Sequence, residues 1–68
     1  MSIQQLNETM QELKTNLEVL ERINQQCQNC TPSEYQRLDQ QALKIMRANT
    51  RLTRTIRNLT NELTGAPQ

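Results

Sequence analysis

Apolar side chains recur along this chain at three- and four-residue steps in two separate runs. Ile3, Leu6, Met10, Leu13, Leu17, Leu20 and Cys27 make the first, and Tyr35, Leu38, Ala42, Ile45, Leu52, Ile56, Leu59 and Leu63 make the second. Alternating steps of three and four keep one side of an α-helix apolar, as in a helix packed lengthwise on another. Between the runs stands Thr31-Pro32-Ser33-Glu34. The expected fold is all-α, a single two-helix antiparallel hairpin of coiled-coil type over residues 1–68. Helix 1 is expected over about 2–29, the turn over about 30–31, helix 2 over about 32–64 and a short tail over 65–68.

The ends of these elements have local reasons. Ser2 with Gln5 has the spacing of a capping box, in which hydroxyl and amide satisfy N–H groups that a first helical turn leaves free. Thr31 is an N-cap residue, Pro32 sits at the first helical position where no N–H is needed, and Glu34 completes a second box. Helix 2 then runs without Gly or Pro until Gly65 and Pro67. At about 1.5 Å per residue both helices come to roughly 40–50 Å, a natural match for pairing side by side.

Two asparagines break the stripes. Asn24 falls where an apolar residue is due in the first, and Asn49 does so in the second. Counted from a turn centred near Cys30, they do not meet within one hairpin, so each is expected to need water, backbone or a partner chain. Val19 and Ile23 widen the first stripe to one side, as Leu43 and Met46 widen the second, and Ala42 and Ala48 let a neighbouring helix come close. Val19, Ile23, Tyr35, Leu43 and Met46 are therefore the candidate partner-binding residues. The alternative is that they only thicken the internal seam.

Composition makes a partner more pressing. A chain of this length buries only about 60% of the surface it exposes when unfolded. Tyr35 is its one aromatic residue, so the large contributions of aromatic burial are missing. Marginal stability alone and self-association are expected, and within the stripes Leu17→Ala and Leu52→Ala are each expected to cost about 2–5 kcal/mol. The net charge of +1 hides an asymmetry. Residues 1–34 hold two basic and five acidic side chains, net −3, whereas residues 35–68 hold six basic and two acidic, net +4. Exposed pairs between two such helices attract by only about 0.2–1 kcal/mol each.

Little here supports chemistry. Cys27-Gln-Asn-Cys30 closes a helix, whereas a redox CxxC opens one, where the helix dipole lowers the thiol pKa. A zinc site needs four ligands, and two Cys without any His could supply them only in a dimer. No paired carboxylates, Gly-rich loop or Ser/His/Asp set suggests an enzyme, so no catalytic residue, cofactor or metal is expected. Lys44, Arg47, Arg51, Arg54 and Arg57 share an outer face of helix 2 with Thr50 and Thr53, which is the outline of a phosphate-tracking stripe. Against that stand the small net charge, the missing stacking aromatics and the acidic first helix. No window is apolar enough for a membrane span. Met1-Ser2-Ile3-Gln4-Gln5 lacks the basic start and apolar stretch of a signal peptide, so a cytoplasmic location is expected.

The stretch Thr31-Pro-Ser-Glu-Tyr-Gln-Arg-Leu-Asp-Gln-Gln-Ala-Leu43, set between two helices in so short a chain, resembles the small YscE-type co-chaperones of bacterial type III secretion. Pro32, Tyr35 and Gln36 match that family's helix-start motif. The resemblance implies a cytoplasmic helical hairpin that supports a larger tetratricopeptide-like chaperone, through which the secretion needle subunit is kept monomeric. The Cys pair, the stretch Arg47–Arg57 and the Gln/Asn-rich first helix have no counterpart in it. The leading expectation is thus a non-enzymatic co-chaperone. Its rivals are a homodimeric four-helix bundle that binds nucleic acid through the Arg face, and a scaffold subunit of another coiled-coil assembly.

Overall fold

A computed structural model describes residues 3–65. Helix α1 spans Ile3–Cys27 and helix α2 spans Pro32–Thr64, and the two pack along each other as an antiparallel all-α hairpin. The Ser2 cap and the Pro67 stop lie outside the described residues. Thr31 caps α2 from extended backbone (φ −73°, ψ 162°). Its hydroxyl accepts the Glu34 N–H at 3.2 Å while its carbonyl accepts the Tyr35 N–H at 2.8 Å. At the far end Gly65 turns left-handed (φ 68°) and donates its N–H to the Asn61 carbonyl, a geometry that disfavours side chains with a Cβ.

Helix α1 stops at Cys27, two residues before the expected end, and the turn occupies residues 28–31. The Gln28 and Asn29 N–H groups reach back only three residues, to the Gln25 and Gln26 carbonyls at 3.3 Å each. The last turn thereby tightens and ends. The Cys30 thiol donates to the Cys27 carbonyl at 3.3 Å. It supplies a partner for one of the carbonyls that a helix C-terminus leaves free.

The seam of α2 is the run read from the sequence, with Asn49 included and its two ends left out. Leu38, Ala42, Ile45, Asn49, Leu52, Ile56 and Leu59 are all buried or half-buried, whereas Tyr35 and Leu63 stand exposed beyond them. The seam of α1 departs further from its expected run. Its buried and half-buried residues include Leu6, Thr9, Leu13, Asn16, Leu20, Ile23 and Cys27, again at steps of three and four. Ile3, Met10 and Leu17, expected inside, are 65%, 50% and 53% exposed. The stripe is rotated toward two polar residues, each of which makes a hydrogen bond there. The Thr9 hydroxyl donates to the Gln5 carbonyl of its own helix at 2.8 Å, leaving its methyl for packing. The Asn16 amide donates to the Asn49 side-chain oxygen across the seam at 3.0 Å.

That bond fixes the register and corrects the expectation for Asn49, which finds its partner within its own hairpin. Counting antiparallel from it puts Leu20 level with Ile45, Ile23 with Ala42, Cys27 with Leu38, Leu13 with Leu52, Thr9 with Ile56 and Leu6 with Leu59. The centre of symmetry falls between Pro32 and Ser33, beyond the Cys30 assumed from the sequence. The core along this seam is thin. Ile23, Leu38 and Leu59 are the buried apolar residues, at 7%, 5% and 3% exposure, and no described side chain falls below 2%. The radius of gyration is 15.5 Å and the extents are 50 × 20 × 13 Å. A compact domain of this length would have a radius of gyration of about 11 Å, so the molecule is a layer one helix thick.

Candidate interaction surface

The five candidate partner-binding residues separate once the register is set. Ile23 is in the seam and belongs to the hairpin's own core. Val19 is half-buried on one flank, in a shallow depression with Arg22, Gln26, Gln41 and Lys44. Tyr35 and Met46 line a depression on the other flank, beside Leu20, Asn24, Cys27 and Asp39. Tyr35, Leu43 and Met46 are all exposed, by 43 to 53%.

The flank of Tyr35 and Met46 carries three further apolar residues that the sequence pattern places inside. Ile3, Met10 and Leu17 precede Asn24 at seven-residue intervals, and seven residues are nearly two full turns, so all four lie along one line of α1. Asn24 lies on the Met46 side, and the line of Ile3, Met10 and Leu17 therefore does too. One signal pointed there. The line ends in Asn24, which an exposed flank accommodates without the cross-seam partner that Asn16 and Asn49 find in each other.

On α2 the Arg-bearing stretch forms a second feature, a depression lined by Asn49, Thr50, Thr53, Arg54 and Arg57. The Thr50 and Thr53 hydroxyls donate to the Met46 and Asn49 carbonyls at 3.1 and 2.8 Å. Each hydroxyl proton is thereby held within the helix, so the threonines have no free donor to offer a phosphate. The guanidinium groups of Arg54 and Arg57 are the charged donors there, and both residues are exposed.

Cys27 and Cys30 are free thiols, both half-buried. Partial burial pushes the Cys27 thiol up from its ordinary value, with Cys30 and then the Asp39 carboxylate adding to the effect. A thiol held protonated at neutral pH is a poor nucleophile and a poor metal ligand. Among the described residues no group of three or more His, Cys, Asp and Glu is placed to hold a metal ion. Replacing both cysteines by serine should leave helicity and melting in reductant or chelator unchanged. Because the folded state keeps the Cys27 proton longer, the stability tied to it is complete below the ordinary thiol value of 9.0 and is lost as pH rises through the higher folded value. Melting of the native chain minus that of Cys27→Ser should therefore decline only at alkaline pH, and a decline between pH 6 and 8 would contradict it.

Comparison of the chain with protein-family models, with curated proteins and with solved structures gives no match. No helix among the described residues is long and apolar enough to cross a membrane.

Proposed function

We propose that this hairpin is a non-enzymatic co-chaperone that docks its more apolar flank on a larger tetratricopeptide-like chaperone, which holds a type III secretion needle subunit in the cytoplasm. The observation that carries the reading is the exposure of Leu17, Tyr35 and Met46 on one flank of a layer one helix thick, with Leu43 also exposed on α2. Apolar side chains grouped on one face are the usual mark of a protein-binding surface. The likeness of residues 31–43 to the YscE-type co-chaperones supplies the kind of partner. A helical repeat array exposes apolar surface at its ends or concave face, and a helical hairpin laid on it removes that surface from water.

Co-expression with the tetratricopeptide-type needle chaperone of the same genome tests the reading. Leu43→Asp or Met46→Asp should weaken capture by about a hundredfold or more, since each carboxylate would be desolvated in an apolar contact without a counter-charge. Val19→Asp, on the opposite flank, should retain it. Absence of any complex, or salt-sensitive RNA binding lost on combined Arg47→Ala, Arg51→Ala and Arg54→Ala, would overturn the co-chaperone role in favour of a nucleic-acid binder.

A further inference from the structure

We infer that the flank carrying Ile3, Met10, Leu17 and Met46 is closed in solution by a second copy of this chain, with the turns of both hairpins at the same end. Helical domains are built from at least two packed layers around one core, and this hairpin supplies one. Its face measures 50 by 20 Å. That is about 1,000 Å² in projection, enough for the roughly 800 Å² per partner that a stable dimer buries. The line of Ile3, Met10 and Leu17 supplies the apolar knobs of a second seam, at the heptad interval that suits a four-helix bundle.

Charge selects both the occupant and its direction. A two-fold axis along the helices lays α1 of each copy antiparallel on α2 of the other, so a helix of net −2 meets a helix of net +3 twice, Glu34 counting with α2. A two-fold axis across the helices would instead lay α1 on α1 and α2 on α2, like charge on like along their whole length. In the favoured arrangement levels are preserved, and Leu17 approaches Met46 of the second copy near the middle of the bundle. The contact is self-complementary in shape and in charge, and it closes after two chains.

Both occupants use this flank and exclude one another, so the dimer is the state of the free chain and a chaperone would have to displace the second copy. Sedimentation reads the chain alone, so its failure leaves the co-chaperone role standing, and failed capture leaves the dimer standing. Sedimentation equilibrium of the purified chain at tens of micromolar should give twice the 8.0 kDa chain mass. Met10→Glu combined with Leu17→Glu should return it to one chain, whereas Arg22→Glu on the opposite flank should not. A spin label on Asn29→Cys, in a chain with Cys27 and Cys30 replaced by serine, reports direction on an unaltered face. Turns at the same end place the two labels within about 20–25 Å, a few helix diameters. Turns at opposite ends separate them by the full 50 Å length of the hairpin. One chain mass at all concentrations, a mass above two chains, or labels a whole hairpin length apart would each overturn the inference.

Discussion

Leu38→Ala and Leu59→Ala should each remove about 2–5 kcal/mol of stability, the usual loss for a buried leucine cut back to alanine. At roughly 0.05–0.15 kcal/mol per residue, the whole chain has only about 3–10 kcal/mol to lose. Either substitution should therefore lower the melting temperature by about 10 °C or more, and the weaker outcome leaves a chain largely unfolded at about 37 °C. The two sites are chosen because they lie at opposite ends of the seam, Leu38 level with Cys27 beside the turn and Leu59 level with Leu6 at the open end. Leu17→Ala, read in dilute solution where only intrachain packing counts, should cost about 0.5 kcal/mol or less, because Leu17 stands in solvent. A loss at Leu17 equal to that at Leu38 would restore the unrotated stripe.

The second helix was legible because its signals are local and agree. Thr31, Pro32 and Glu34 give the start within four residues, Gly65 gives the stop, and the buried and half-buried positions in between are filled by Leu, Ile and Ala with Asn49 and Asn61 as the exceptions. The first helix offered two stripes of nearly equal apolar content. Ile3, Met10 and Leu17 add to the one read from the sequence, whereas the true seam trades them for Thr9, Asn16 and Ile23. Counting apolar residues prefers the wrong one. What decides is satisfaction of polar groups, and that depends on the facing helix. Asn49 needs a partner at its own level, and only a register centred near Pro32, set by a turn that begins after Cys27, brings Asn16 to it.

The candidate surface was legible in the same partial way. Leu43 and Met46 are surplus to the α2 seam in sequence and, like Tyr35, are exposed in the structure, so an excess of apolar residues over what one seam needs was a guide to exposure. Val19 and Ile23 were grouped with them because both sit beside the stripe as it was drawn. With the stripe rotated, Ile23 becomes core and Val19 moves to the other flank. An error of one helical line in α1 thus carries into which apolar residues are exposed, and the same correction places Ile3, Met10 and Leu17 among them.

Asn16 and Asn49 should respond in opposite directions to single and paired substitution. Either asparagine changed to alanine leaves a part-buried amide facing a cavity with no partner, and the desolvation of that group costs about 1–3 kcal/mol. Changing both to leucine removes the polar demand and fills the middle layer with apolar volume between Leu13–Leu52 on one side and Leu20–Ile45 on the other. A melting temperature above that of the native chain is expected, by about 4–8 °C for each kcal/mol gained. Specificity should suffer in exchange. A lone polar layer in a coiled-coil seam holds its register at some expense of stability, and a uniformly apolar seam accepts other pairings, including helices of other copies. Thermal melts together with sedimentation of Asn16→Leu, Asn49→Leu and the double-leucine variant make the cycle complete. A double-leucine chain that is both more stable and more polydisperse would identify the Asn16–Asn49 bond as the device that keeps this hairpin paired with itself, and a double variant destabilised by the sum of the singles would show no coupling between the two sites and overturn that role.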